Sequence, residues 1–527
     1  MFARTKTYKN QDGSSRQYLE IVENQRVDGK VRQRVVLRLG RLDKIRGDGQ
    51  LDRLLSSLAK FSTHQVLIES IADCLSSEWA RELGPVAVYR RLWENLGLPG
   101  FISAISERTG IEHDVEEAIF AMVLNRLMAP ESKLGVSRWV KKVYRPEFES
   151  LQLQHFYRSL DFLAEHKEEL EERLFSRVRD LFTLELDVVF YDTTTSYVHG
   201  LHPEELVKFG YSRDNRPDRR QIAIGILMTK DGTPVGHQVF PGNFADVECF
   251  LAALADLRCR YRLGRVVMVA DRGMVGKTTL AALENEHYQY ILGMRMRRVN
   301  AARTALAEQG QYQVVSDSLQ VREVARRGKR YIVCYNPQEA ERDREVREET
   351  VVRLRETLKD AGLKGLVGHR GYRRYLRVEG AGGTIDEAKV AAEGAYDGRY
   401  ILMTNTDLPA AEVALTYKQL WQVERAFRDL KSNLDLRPLY HWTEKRIRGH
   451  VMVCFLAFAL ERMLVRSLKE TSPEVNYQQA RADLDDLKMV TVQLKGRNYL
   501  VRTELQGEAH SLFRAVGARP PQRVTEV

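Results

Sequence analysis

The chain has 527 residues, room for roughly two to four domains with their own cores, and its 43% hydrophobic and 29% charged residues exclude a fibrous or low-complexity protein. A net charge of +10, from 82 Lys+Arg against 72 Asp+Glu, favours a polyanionic partner without requiring one. The five scattered cysteines (Cys74, Cys249, Cys259, Cys334, Cys454) form no CxxC pair, which argues against a zinc ribbon or disulfide scaffold and fits a reducing compartment.

The start, MFARTKTYKNQDGSSRQ, is polar and has no apolar signal core. Residues 1–60 then carry two alternating β-branched runs around Asp28-Gly29, a hairpin signal. Arg26, Lys30, Arg32, Arg34, Arg38 and Arg41 make this hairpin basic enough to touch phosphate, or equally the solvated face of a small sheet. From 61 to 184 the pattern is helical: HDVEEAIFAMVLNRLMAP, SKLGVSRWVKKVY, and LAEHKEELEERLFSRVRDLF, read as one long amphipathic helix with a mostly solvated face. In the second of these, Lys133, Arg138, Lys141 and Lys142 around Trp139 could lie on DNA.

Between 185 and 299 the texture becomes a strand (VVFYD), a hairpin turning at Lys230-Asp231-Gly232, a helix (DVECFLAALADLRCRY), a strand (RVVMVAD), a helix and a strand. This is an α/β pattern, a mixed sheet with helices on it. Residues 300–396 look like a β-rich insertion followed by a highly charged helix and the basic stretch GHRGYRRYLR, a phosphate-contacting strand or a solvated edge. The strand RYILMTN at 399 resumes the earlier pattern, which continues over 397–470. Glu461, Arg462 and Arg466 interrupt HVMVCFLAFALERMLVRSL, so it reads as a buried helix and no membrane span is expected. Residues 471–527 form a mixed tail, and the protein is expected in the cytoplasm.

Asp192 and Asp271 each close an apolar strand pattern, so each carboxylate is expected at a strand end, where ligands of α/β sheets gather. If the two strands are neighbours, the acids meet, and the relief for two repelling carboxylates is a divalent cation. A third acid comes from YKQLWQVERAFRDLK, residues 417–431, read as one helix. Leu420, Val423, Phe427 and Leu430 form its buried stripe, and Tyr417, Glu424 and Lys431, each seven apart, form a second stripe along its border. Oxygen-only ligation by such carboxylates suits Mg²⁺ or Mn²⁺, and two ions could drive in-line attack at a phosphodiester. DRGMVGKTT imitates a P-loop but has Asp271 where that motif needs glycine, so Gly276-Lys277-Thr278 reads as a helix opening. His199 and His202 lack further ligand partners and read as loop residues near DNA, while Trp421 and Trp442 are either core aromatics or stacking platforms.

Strand-Asp, strand-Asp, then Tyr417, Glu424 and Lys431 at this spacing resembles the DDE transposases of bacterial insertion sequences, in the group with a Tyr-Arg-Glu-Lys signature. SRDNRPDRRQIAIGILM and RPLYHWTEKRIRGHVMVCFLAFALE are similar to the same group, and the likeness spans about 185–465. Leu420 stands where the group has Arg, and Arg425 and Arg428 are the nearby residues that could make its phosphate contact. The resemblance implies an RNase H-like catalytic domain interrupted by the β-rich insertion, with the helical region 61–184 binding DNA ends. It implies that Asp192, Asp271 and Glu424 hold two Mg²⁺ or Mn²⁺ ions, and that Tyr417 and Lys431 hold the DNA backbone. The implied partners are double-stranded DNA, as element ends and target, and a second copy of the chain in a dimer or larger assembly, with the protein associated with the nucleoid. A related nuclease without strand transfer and a catalytically inactive DNA-binding derivative remain the alternatives.

Overall fold

The computed structural model describes all residues except 11–12, 28–29, 60, 62–74, 183–187, 201, 262–266, 327, 362–371, 380–381 and 495. The chain divides into two units, one of residues 1–80, 489–503 and 522–527, the other of 81–488 and 504–521.

In the first unit the basic hairpin is present as β2 (Ser15–Val27) and β3 (Lys30–Arg41), paired down to Val27↔Lys30. The turn Asp28-Gly29 itself lies outside the described residues. A further strand, β1 (Phe2–Lys9), pairs with β2, where the sequence pattern showed only two strands. Arg26, Lys30, Arg32, Arg34 and Arg38 are exposed on it. Lys488–Leu494 joins Leu75–Ser76 and Arg497–Arg502 in a second small sheet, so the C-terminal stretch contributes strands here.

The second unit is organised by one sheet of nine strands. These are β4 (Val188–Tyr197), β5 (Gln221–Thr229), β6 (Pro234–Pro241), β7 (Val267–Ala270), β8 (Gln289–Gly293), β9 (Gln313–Ser316), β10 (Leu319–Arg326), β11 (Lys329–Tyr335) and β12 (Arg399–Thr404). Their spatial order is β9-β10-β11-β12-β8-β7-β4-β5-β6. Within it, β4, β5 and β6 form an antiparallel meander, and β7 and β8 continue parallel to β4 on its other side. Counting these five in chain order gives 3-2-1-4-5, the RNase H-like arrangement. Helices α4 (Asp246–Tyr261) and α5 (Lys277–Asn285) supply the crossovers that parallel strands need. Phe250 and Leu254 of α4 pack with Val189, Tyr191 and Met268 of the sheet in one core. Gly276 stands just ahead of α5, so GKT opens a helix as expected.

The strands of 300–396 do not stand apart. β9, β10 and β11 extend the same sheet through β12, which lies between β11 and β8. The charged helix α6 spans Pro337–Ala361. Of GHRGYRRYLR, residues 368–371 lie outside the described residues, and the rest runs into Leu376–Glu379, one strand of a two-stranded ribbon with Gly382–Ile385.

Helices form the remainder of this unit. α1 (Val115–Met128) starts at Asp114, whose side chain accepts the Glu117 amide, a standard N-cap. The expected long helix ending at Phe182 is two, α2 (Leu153–Glu165) and α3 (Lys167–Phe182), broken at His166. Glu171 of α3, expected on a solvated face, is fully buried. Lys133 and Trp139, read as candidates for DNA contact, are also buried, while Arg138, Lys141 and Lys142 are exposed. The apolar run around His450 is the middle of helix α9 (Glu444–Thr471), and its residues are buried against the other helices. α9 crosses α2 so closely that a Cβ on Gly449 would collide with the Leu160 carbonyl oxygen. Among the described residues no helix is long and apolar enough to cross a membrane.

Candidate active site

β4 runs on past Asp192 through Thr193-Thr194-Thr195, because a β-branched run suits a strand and pairs with β5. Asp192 is therefore inside its strand, not at its end as expected, while Asp271 does follow the last residue of β7. The parallel register pairs Tyr191 with Ala270, and one further step sets Asp192 beside Asp271. Tyr191 points into the core against Phe250, so by strand alternation the two acids share the opposite face.

Burial pushes the Asp192 carboxyl up to about 7; Arg213 and the Thr193 amide pull it down, and the charges of Asp271 and Asp246 add to the rise. Arg213 Nη1 lies 3.6 Å from Asp192 Oδ1, and Nη2 donates to Asp246 Oδ1 at 2.7 Å. Asp246, the first residue of α4, also accepts the Thr193 hydroxyl at 2.7 Å. The Tyr417 hydroxyl donates to Asp271 Oδ1 at 2.9 Å. Burial and Asp271 raise the Tyr417 pKa far above the ordinary phenol value, so it stays a donor. Gly293, ending β8, leaves room for this contact, since a Cβ there would collide with the Tyr417 hydroxyl oxygen.

The expected helix over 417–431 is broken. α7 (Ala410–Lys418) ends in a tight turn in which the Leu420 amide reaches the Tyr417 carbonyl, and α8 (Trp421–Arg428) follows. A π-helical turn, Asp429–Asn433, carries Lys431. The apolar stripe is as expected, with Leu420, Val423, Phe427 and Leu430 buried. Glu424 is exposed and lines a cleft of about 730 Å³ together with Asp271, Asp246 and Tyr417. Arg213, Arg272, Arg295, Arg297, Arg298 and Arg399 also line it, which makes the mouth over the acids suit a polyanion. Among the described residues no three His, Cys, Asp or Glu side chains converge closely enough to hold one ion. The donor chemistry nevertheless fits a divalent cation: oxygen ligands only, two of them adjacent, one with its proton affinity raised by burial and by acidic neighbours.

Lys431 does not face open solvent. Its side chain is 10% exposed and its Nζ donates to Asp214 at 2.7 Å. Arg425 and Arg428 are both exposed, and Arg425 lines a separate cleft with Arg462 and Asp429. Trp421 and Trp442 are both exposed, against the expectation for core aromatics. The His199 ring stacks on Tyr440 and His202 sits beside Arg220, and among the described residues neither belongs to a metal-ligand set. Arg213, Asp214, Asp246 and Arg437 do not stand out in the sequence. The signals available are the stretches SRDNRPDRR and RPLYHWTEKR, which share in the resemblance, and an acid opening a helix after Gly-Asn-Phe-Ala.

A family model described as the transposase DDE domain matches residues 183–460, more than half of the chain. The chain belongs to this family. It is a DNA transposase of the insertion-sequence type, and the N-terminal domain model of the IS1634 transposase family matches residues 3–69. DDE membership implies use of a divalent metal. No curated protein matches the chain. Among solved structures, a piggyBac transposase synaptic complex with hairpin DNA aligns over 82% of this chain and 79% of its own, at 8% identity and a TM-score of 0.40. A Mos1 mariner paired end complex with Mn aligns over 32% and 56%, at 13% identity and a TM-score of 0.15.

Proposed function

We propose that this transposase hydrolyses phosphodiesters at the ends of its own insertion sequence and joins the freed 3′-hydroxyls to target DNA, with Asp192, Asp271 and Glu424 as the metal ligands. The observation that carries the reading is the register that sets Asp192 beside Asp271, with Glu424 and Tyr417 on the same cleft. Two Mg²⁺ or Mn²⁺ ions bound there would supply activation of the attacking oxygen and stabilisation of the leaving one. The chain's own residues do the rest. Tyr417 fixes one oxygen of Asp271. Asp246 and Thr193 hold Arg213 against Asp192. The arginines of the cleft draw in the phosphate backbone, and Lys431 and Arg428 contact it in the DNA complex, with Arg425 meeting it from the neighbouring cleft and Tyr417 acting through Asp271. Joining two ends calls for two or more copies of the chain on DNA.

The test is metal-dependent cleavage of DNA carrying the sequence that flanks this reading frame. Replacing Asp192, Asp271 or Glu424 by Ala should lower cleavage by about three orders of magnitude or more, the scale of removing a group that stabilises transition-state charge, while DNA binding persists. Full cleavage by any one of the three variants would remove that residue from the metal set. Pre-cut ends mixed with a target plasmid separate the readings further, since joined product requires a 3′-hydroxyl nucleophile and a nuclease gives none.

A further inference from the structure

The loop between β4 and β5 closes on itself where Lys208 and Gln221 exchange backbone hydrogen bonds of 3.1 and 2.9 Å. At its tip the Ser212 hydroxyl oxygen accepts from the amides of Asp214 and Arg216, and Asn215 takes a left-handed φ of 55°. This turn sends two consecutive side chains to different ends of the site. Arg213 goes to Asp192 and Asp246, as described. Asp214, 3% exposed, goes to the basic side, where its Oδ1 accepts from Lys431 Nζ at 2.7 Å and from Arg437 Nη1 at 2.5 Å.

The distribution of donors is uneven. Both cations converge on Oδ1, while Oδ2 is buried and has no hydrogen-bond partner among the described residues. A carboxylate held for stability alone gains most when both oxygens are satisfied, as in a bidentate pair, and loses when one is buried unpaired. Two cations also meet at one oxygen of Glu171, but there the second oxygen has donors of its own; at Asp214 the cations serve a single oxygen, which is what a non-bridging phosphate oxygen asks for. Lys431 comes from the π turn after the Glu424 helix, and Arg437 from the segment beyond it. Arg213 stands against Asp192 and its charge is also felt at Lys431, which ties the pair of cations to the site of the acids where cleavage is proposed.

We propose that Lys431 and Arg437 form a seat for one backbone phosphate of the bound DNA strand, and that Asp214 fills this seat in the free protein and leaves it when DNA enters. The inference rests on the reading of the chain as a transposase that binds DNA, and it adds Arg437 as a contact and Asp214 as the resident anion. The exchange swaps one anion for another, so the two cations release few solution ions when DNA arrives. Entry at this point is therefore an exchange of partners, and DNA held only loosely elsewhere gains nothing from it.

Salt dependence tests this in the full chain with EDTA present, using as probe a duplex with the sequence that flanks the reading frame. With Asp214→Asn the seat loses its anion, its cations collect counterions, and DNA releases them. Binding at low salt should become about tenfold tighter, and the slope of log K against log salt steeper by about one. Arg437→Gln should weaken binding several-fold and cancel the gain in the double variant. An Asp214→Asn protein that melts like the parent and binds with unchanged affinity and slope would overturn the proposal, as would a double variant that keeps the gain. Should Asp214→Asn fail to fold, Arg437→Gln and Lys431→Gln each leave Asp214 one cation, and unchanged binding by both would overturn it equally. Inorganic phosphate should compete only as its ionic strength predicts; specific competition would make this a free-anion site and overturn the DNA assignment. No arm requires cleavage, so loss of the metal assignment at Asp192 leaves the seat standing, and a cleaving enzyme indifferent to Asp214 would remove the seat alone.

Discussion

Glu171 and Asp192 are both acids taken out of water within the same unit, and their surroundings act in opposite directions. Glu171 has 0% exposure and four donors: Lys167 and Arg260 on one oxygen at 2.7 Å each, the His237 ring and amide on the other at 2.7 and 2.8 Å. Burial would raise its pKa, yet Lys167, His237 and Arg260 overcome that and hold it well below the carboxylate range. Asp192 has one guanidinium at 3.6 Å, one backbone amide and two acidic neighbours, and it is pushed up to about 7. The first acid is satisfied by the fold and ties α3 to β6. The second is left in want of positive charge, which is what a metal-binding carboxylate requires.

Removing either group should expose this contrast. Glu171→Ala leaves Lys167, Arg260 and the ring and amide of His237 without their acceptor, and should cost about 3–5 kcal/mol, read as a lower denaturant midpoint of the chain. Asp192→Asn should do the reverse in metal-free protein. A carboxyl whose folded pKa lies above its unfolded value stabilises the fold at low pH, and that contribution is lost as pH rises through about 7. The Asn variant escapes the loss, so it should be more stable than the parent above pH 7 by ~2–4 kcal/mol, since each tenfold change in proton affinity between the folded and unfolded chain is worth ~1.4 kcal/mol. The gain should fade as pH falls toward 4, and saturating Mg²⁺ should stabilise the parent but not the variant. A variant no more stable than the parent at pH 8 would contradict the account of Asp192. Glu171 carries the opposite sign, since its contribution is present above the unfolded pKa and disappears only in acid. The smallest effect is expected at Tyr417→Phe, which deletes one hydrogen bond to Asp271, worth about 1 kcal/mol. Cleavage should fall by about five- to tenfold with little change in melting.

What could be read from the sequence was local. The apolar strands around Asp192 and Asp271, the stripe Leu420-Val423-Phe427-Leu430 and the helix at Lys277 all follow from spacing within a few residues. Two helix breaks, at His166 and at Gln419–Leu420, escape such a reading, because the apolar period runs through both without a Pro or Gly to mark them. Asp271, Tyr417 and Lys431 could be named as site residues, but which side chain each one touches could not be read. Asp214 and Lys431 are 217 positions apart and Tyr417 and Asp271 are 146, and only the sheet order brings them together. The insertion is recognisable as β-rich, but that its strands prolong the main sheet depends on pairing at β12, which periodicity does not encode.

That junction has a consequence for the chain as a modular object. The Met294 amide, just past β8, bonds the Ile401 carbonyl of β12 at 2.9 Å, so the hundred or so residues between them depart from and return to the strands that carry the acids through a single doorway, and their own strands add to the sheet beyond β12. Topologically they are one long hairpin loop, and the penalty for lengthening such a loop grows only with the logarithm of its size. Descendants of this chain can therefore expand or trim the segment without rethreading the strands that carry Asp192 and Asp271. Complete excision is a different matter, because β11 covers the outer edge of β12, and a bare edge strand recruits other chains. The minimal version of this protein keeps β11 as a hem.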